Sequence, residues 1–257
     1  MIPLALSIAG SDPSGGAGIQ ADLKTFHQHK VYGMAVITLL TAQNTKGVQA
    51  VYVMNPAQVI RQLETVLADI PPQAAKTGAL GDEKVLRAVA RSAREFRFPL
   101  VVDPVMVSKH GASLLKTSAV RVFIKELLPN AALVTPNLCE AQALSGIKVF
   151  DPESMEKAAK IIAGFGPQAV LIKGGHLKGE AVDLFYQAGR VRLLKAPRIK
   201  TRHTHGTGCT YSAAITAGLA KGQDLFSAIT SAKKYITRAI RTSPGLGHGT
   251  GPVNHFA

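Results

Sequence analysis

The run LALSIAGSDPSGGAGIQADLKTF, residues 4–26, decides the fold. Leu4–Ala9 is a short apolar run, the middle is rich in glycine, and from Gly18 to Lys30 apolar residues recur at helical spacing. A strand that ends in a glycine loop and opens into a helix is the unit from which helix-covered parallel sheets are built. The loop holds Gly16-Ala17-Gly18-Ile19-Gln20-Ala21, a GxGxxA pattern in the context that a dinucleotide fold requires. Such a fold also needs an acidic residue about twenty positions later to hold a ribose, and no carboxylate occurs between Asp22 and Glu64. What remains is bare backbone whose N–H groups can approach a small polar ligand closely. The alternative is a turn needed only for strand-to-helix geometry.

Outward from this unit the same alternation continues. Leu4–Ala9, Ala35–Leu40, Val48–Val53, Ala74–Lys76, Leu100–Val102, Leu133–Thr135, Val170–Lys173 and Val191–Leu194 read as strands. Gly18–Lys30, Pro56–Asp69, Glu83–Phe96, Ser118–Leu127, Leu138–Ser145, Pro152–Phe165, Cys209–Lys221 and Leu225–Arg241 read as helices. The expected fold class is therefore α/β: a mostly parallel central sheet with helices on both faces, in three layers. Nothing in the composition splits the chain, so residues 1–257 are expected to form one domain.

The chain has 257 residues, 46% of them hydrophobic, enough for a full core. No run approaches 18 apolar residues, and the first basic residue is Lys24, which argues against a membrane span and a secretory signal. The two cysteines, Cys139 and Cys209, form no CxxC, and their spacing suits a reducing cytoplasm better than a disulfide framework. The formal charge is +14, and from Leu184 to Ala257 there is one carboxylate, Asp224, against eleven Lys and Arg. Sites built from acid-poor segments attract anions, although a solvated basic face would look the same. A nucleic-acid-binding module is the alternative of another class. Against it, the bases are spread singly, and the 5% of aromatics include no Trp for stacking.

Two further glycine loops matter. In HTHGTGCTYSAAI, residues 203–215, successive amides at Gly206, Thr207, Gly208 and Cys209 open a helix and would form a cradle for phosphate oxygens. In LIKGGHLKG, Lys173 ends a buried strand beside two glycines, a cation next to bare backbone. No GxxxxGK[ST] occurs, so neither is a Walker A loop. Three such loops make phosphate chemistry the leading inference. Asp103 in LVVDPV and Glu140 in TPNLCE are expected at the carboxyl edge of the sheet, where Mg²⁺ could sit between protein oxygens and phosphates. A turn-forming Asp-Pro and a helix N-terminal dipole partner are their plainer readings.

His203, His205 and Cys209 make HxHxxxC, three possible zinc ligands, but a structural site needs a fourth and Cys139 is the only other thiol. Cys209 itself could be simple packing. Its place in the first turn of a helix, beside glycines and bases, is also what favours a thiolate, so a lowered thiol pKa is expected.

The blocks SIAGSDPSGGAGIQADLKTF, VITLLTAQNTKGV, KTGALGD, VVDPVMVSKHG, LVTPNLCEAQAL, LIKGGHL, THGTGCTYSAAI and GHGTGPVNHF resemble, in order and over almost the whole chain, the hydroxymethylpyrimidine and phosphomethylpyrimidine kinases of thiamine biosynthesis, members of the ribokinase superfamily. The resemblance implies a ribokinase-like kinase, dependent on ATP and Mg²⁺, that phosphorylates 4-amino-5-hydroxymethyl-2-methylpyrimidine and then the monophosphate. It also implies a homodimer. Carried over by motif, Gln43 would pair with the polar edge of the pyrimidine, with Gly10, Ala17 and Asp22 around the same pocket. Asn137 and Glu140 match the NxxE element near Mg²⁺ and phosphate, Lys173 lies by the ATP phosphates, and Gly206 to Gly208 match the anion hole. Cys209 stands where sugar kinases of the superfamily carry an Asp base. The rival implied by the same likeness is a pyridoxal, pyridoxine or pyridoxamine kinase, and the NTKG turn after Gln43 is expected to act as a flap.

Overall fold

The computed structural model describes residues 2–106, 117–175, 177 and 179–257. Residues 107–111 of the VVDPVMVSKHG block, and positions 176 and 178 of LIKGGHLKG, lie outside the described residues. Among those described, nine strands form one sheet: β1 (Leu4–Ser11), β2 (Tyr32–Asn44), β3 (Gly47–Val53), β4 (Ala74–Thr77), β5 (Leu100–Val102), β6 (Leu133–Val134), β7 (Ala169–Ile172), β8 (Ala181–Gln187) and β9 (Arg190–Ala196). Their order is β3-β2-β1-β4-β5-β6-β7-β8-β9. The five pairings from β2 through β1 to β7 are parallel, and the β2–β3, β7–β8 and β8–β9 pairings are antiparallel. The chain leaves β1 toward β2 and β3, then returns to its other side as β4. The carboxyl ends of β1 and β4 are thus the topological switch point where ligands bind in open α/β sheets.

The helices are α1 (Gly18–Gln28), α2 (Pro56–Asp69), α3 (Glu83–Ala93), α4 (Thr117–Val122, continued by a π-helical turn at Phe123–Leu127), α5 (Leu138–Ser145), α6 (Pro152–Ala163), α7 (Thr207–Ala220) and α8 (Leu225–Arg241). Central strands β4, β5 and β7 are buried at every residue, as expected for strands covered on both faces. Because side chains alternate across a strand, Leu100 and Val102 join one core with residues of α2 to α6. Val101 between them joins a second core with α7 and α8. A third cluster packs Phe26 of α1 on Ala5, Ala74, Ala213 and Ala217. Each fully buried Leu or Phe in these layers contributes about 1.5–3 kcal/mol.

Helix α7 is buried almost all round. Its small residues make that possible: a Cβ on Gly218 would stand 2.8 Å from that of Ala228 on α8. One strand escaped the sequence reading. β8 carries Asp183 inside an apolar run, and that carboxylate is buried because Lys233 at 2.6 Å and the Gly174 amide at 3.0 Å both donate to it. The β8–β9 turn puts Ala188 and Gly189 at positive φ, the geometry of a tight hairpin. Among the described residues no helix is long and apolar enough to cross a membrane.

Candidate active site

The loop after β1 is organised by one carboxylate. Asp12 Oδ1 accepts from the Ser14 amide at 2.9 Å and the Ser14 hydroxyl at 2.7 Å, while Oδ2 accepts from the Ala17 amide at 2.9 Å and lies 2.7 Å from His205 Nε2. Burial pushes the Asp12 carboxyl up, but the hydrogen bonds from His205 and Ser14 outweigh it and hold it below its ordinary value. His205 Nε2 also lies 3.2 Å from Gln43 Nε2. Asp12, His205 and Gln43 therefore join the first loop, the α7 loop and the end of β2. His205 thus faces Asp12 and Gln43, in keeping with the weakness of the HxHxxxC pattern as a zinc site. Among the described residues no three His, Cys, Asp or Glu gather as metal ligands, and Cys139 is exposed.

Glycine is required where these loops meet. Gly206, the N-cap of α7, has φ +73, and a Cβ there would fall 1.7 Å from the Gly16 carbonyl oxygen. Gly18 has φ +58, with the Gly10 carbonyl oxygen 2.2 Å from where its Cβ would be. Such contacts admit only bare backbone. No side chain caps α7, and among the described residues the amides of Gly208 and Cys209 meet no acceptor. Unpaired amides at the positive end of a helix dipole are suited to binding an anion. A Cβ on Gly208 would lie 3.4 Å from Lys173 Nζ and 3.6 Å from Asp103 Oδ2, so cradle, ammonium and carboxylate share one place.

Asp103 is buried and both of its oxygens accept hydrogen bonds. Its Oδ1 accepts from Lys173 at 2.8 Å and Thr135 at 3.1 Å, and its Oδ2 from Ser212 at 3.3 Å. Burial raises its pKa, but Lys173 and Lys76 bring it below the usual carboxylate range. Asn137 and Glu140 cap α5 reciprocally: the Glu140 amide donates to Asn137 Oδ1 at 3.0 Å and the Asn137 amide to Glu140 Oε2 at 2.8 Å. Burial pushes Glu140 up to about 7, with Lys173 opposing and Asp103 adding to the rise. Lys173 hydrogen-bonds back to the Pro136 carbonyl through its amide at 2.8 Å, which ties the two loops together.

Two expectations need correction. Cys209 is half-buried at the start of α7, and burial pushes its thiol up to about 11 rather than down. Lys76 and the Gly18 amide lower it, but Asp22 and Asp103 counter them. Asp22 does not front the pocket. It has no exposed surface, and its two oxygens accept from Lys76 Nζ at 2.7 Å and Ser7 Oγ at 2.6 Å. The NTKG turn, expected to act as a flap, lies against the C-terminal loop, where the Thr45 carbonyl accepts from the Thr250 amide at 2.8 Å and Thr45 Oγ1 from the Gly249 amide at 3.2 Å. Of the other residues expected around the substrate, Gly10 is buried under Leu39 and Ala17 is half-buried at the N-cap of α1.

Asp12, Lys76, His205 and Ser212 were not singled out for these parts. Asp12 had a signal, since an Asp two residues before Ser in a Gly-Pro-rich loop favours a side-chain turn. Lys76 had one too, as the lone charge in the apolar AAKT.

A model of the family described as Phosphomethylpyrimidine kinase matches residues 12–254. The hydroxymethylpyrimidine/phosphomethylpyrimidine kinase of Rhizobium meliloti is 50% identical, covering 100% of this chain and 98% of the relative. Two solved structures are close in fold. The pyridoxal kinase of Staphylococcus aureus in complex with AMP-PCP and pyridoxal has a TM-score of 0.92 at 38% identity, covering 100% of this chain and 95% of that one. The phosphomethylpyrimidine kinase of Clostridium difficile has a TM-score of 0.82 at 44% identity, covering 93% and 99%. Glycine loops, carboxylates and cation thus sit on a chain that matches its relatives from end to end, and this phosphotransferase belongs to the phosphomethylpyrimidine kinase family.

Proposed function

We propose that the chain phosphorylates 4-amino-5-hydroxymethyl-2-methylpyrimidine with ATP and then phosphorylates the monophosphate to the diphosphate, in the cytoplasm. The observation that carries this reading is the convergence at the start of α7: two amides, at Gly208 and Cys209, without an acceptor among the described residues, beside the Lys173–Asp103 pair. A transferring phosphoryl group needs little covalent help. It needs alignment and a fixed positive field, and amides plus ammonium supply both. The AMP-PCP held by the S. aureus enzyme supports ATP as donor here, with Lys173, Asn137, Gly206 and Gly208 around its phosphates and Thr207 completing the loop.

The donor set fits Mg²⁺. Asp103 and Glu140 are two buried carboxylates within each other's field around one ammonium. Two carboxylates suit a cation that takes its remaining ligands from phosphate oxygens and water, not a closed protein cage. When bound, Mg²⁺ would neutralise charge on the transferring group.

On the acceptor side, Gln43 would read the polar edge of the pyrimidine, its side-chain amide 3.2 Å from His205 Nε2, with Ala17 and Gly10 shaping the wall. Cys209 would take the hydroxyl proton in the first step. The second acceptor is an ionised phosphate oxygen and needs no base. The test is ADP formation with the pyrimidine alcohol, its monophosphate and pyridoxal in turn; failure with the first two sinks the reading. Pyridoxal turnover as a secondary activity is favoured by the fold likeness to the pyridoxal-bound enzyme. The sheet edge suits a homodimer, because Leu40, Tyr52 and Val53 of the β2–β3 hairpin are exposed at 42%, 61% and 41%. Light scattering should give twice the chain mass, reverting to one chain in Tyr52→Glu; a monomeric parent refutes the dimer.

A further inference from the structure

Lys76 is the only charged residue of β4 and has no exposed surface at all. A lone buried ammonium is costly, and a buried ion pair is a weak source of stability, so its presence asks for another account. Three elements surround it. Ser7 of β1 is its direct partner in the parallel register. Alternation places both residues on the face that carries Ala5 and Ala74, under α1 and α7. From α1, Asp22 closes over both, accepting from Lys76 Nζ at 2.7 Å and Ser7 Oγ at 2.6 Å. The triad is complete, dry and centred between the strands of the switch point.

What lies above it is the first turn of α7. Ala213 packs in the same cluster as Ala74. From Ala74 to Lys76 the strand advances about 6.6 Å toward its carboxyl end. Four residues back along α7, running the opposite way, cover about 6 Å and reach Cys209. Cys209 and Lys76 accordingly lie within each other's field, and the Gly18 amide is directed at the thiol. The charged groups that face Cys209 are Lys76 from β4, Asp22 from α1, Asp103 after β5 and Lys173 after β7.

We propose that the Lys76–Asp22 pair is a positioning device for Cys209: Lys76 is the counter-ion of its thiolate, and Asp22 competes for that ammonium while the thiol is protonated. The proposal rests on the reading of Cys209 as proton acceptor. In that step the substrate hydroxyl proton passes to Sγ, a bond forms between its oxygen and the γ-phosphorus, and the phosphorus–oxygen bond to ADP breaks. Lys76 gives up nothing. It moves its pairing from the carboxylate toward the thiolate and back.

The two halves of the pair must then act in opposite directions, which a purely structural role cannot reproduce. The full-length protein, free of nucleotide and metal, is alkylated with iodoacetamide between pH 7.5 and 9.5. Cys209 is followed by mass spectrometry, with exposed Cys139 as internal reference. Rate follows thiolate fraction, softened by nucleophilicity, so a tenfold change in the thiol's acidity alters it about threefold to tenfold. Lys76→Met is expected to slow Cys209 alkylation by at least about threefold, and Asp22→Asn to accelerate it by as much. Changes of the same sign, or no change in either, overturn the proposal. If Lys76→Met does not fold, Asp22→Asn alone decides: a slower or unchanged rate refutes it. Cys209→Ala is assayed in parallel on both phosphorylations. Opposite alkylation changes with no selective loss of the first step uphold the pair and remove the base role; the reverse outcome removes the pair alone.

Discussion

If Cys209 is the base, the first phosphorylation must carry a pH dependence that the second lacks. The thiol stands at about 11 in the free protein, so the thiolate fraction is roughly 0.03% at pH 7.5 and roughly 3% at pH 9.5. The base works deprotonated and its pKa lies above this range, so activity rises with pH, close to tenfold per pH unit and about a hundredfold over the window. Glu140, at about 7, and any group on ATP titrate in both steps. Dividing kcat/KM for the pyrimidine alcohol by that for the monophosphate therefore removes the enzyme's shared titrations. The assay is coupled ADP release on each substrate from pH 6.5 to 9.5, with the monophosphate's own ionisation measured separately. Cys209→Ala should abolish the slope of the ratio and cut the first step by about 10²–10⁴, with the second within severalfold of the parent. A flat ratio in the parent, or equal losses in both steps, refutes the reasoning.

Gly206→Ala places a Cβ 1.7 Å from the Gly16 carbonyl oxygen at φ +73. The left-handed conformation alone costs about 1–2 kcal/mol, so a lower Tm and an ATP KM raised at least tenfold are expected; an unchanged KM in a folded variant contradicts the loop contact. His255 is buried against Thr210 Oγ1 at 3.2 Å, and burial, with Lys24 and His205, lowers its pKa from 6.5 to about 4. A depressed histidine contributes stability that is present above pH 6.5 and lost as pH falls through about 4, on the order of 3 kcal/mol. Thermal scans of His255→Gln should show a lower Tm at pH 7.5 and a weaker decline than the parent between pH 6.5 and 4.

Periodicity carried most of the architecture. Helices α2, α5 and α8 begin and end where the pattern placed them, because Asn55, Asn137 and Asp224 accept from first-turn amides at their N-termini. β8 did not show, because its alternation is interrupted by Asp183, whose neutralising partners lie 50 residues away on α8 and nine residues away at Gly174. The same limit governs the site. The glycine loops, Lys173, Asp103 and Glu140 stood out locally as residues suited to phosphate and cation.

The sequence by itself determined a mostly parallel α/β sheet, three glycine loops that each follow a strand or open a helix, and a cysteine at the head of a helix, since each of these is written in neighbouring residues. Only the tertiary structure decided that His205 joins Asp12 and Gln43, that Asp22 is paired with Lys76 in the interior, and that Cys209 holds its proton more tightly than composition suggested. Partners 15 to 193 positions apart create those fields. A charge's effect depends on the distance and burial that folding imposes, and no spacing in the chain encodes either.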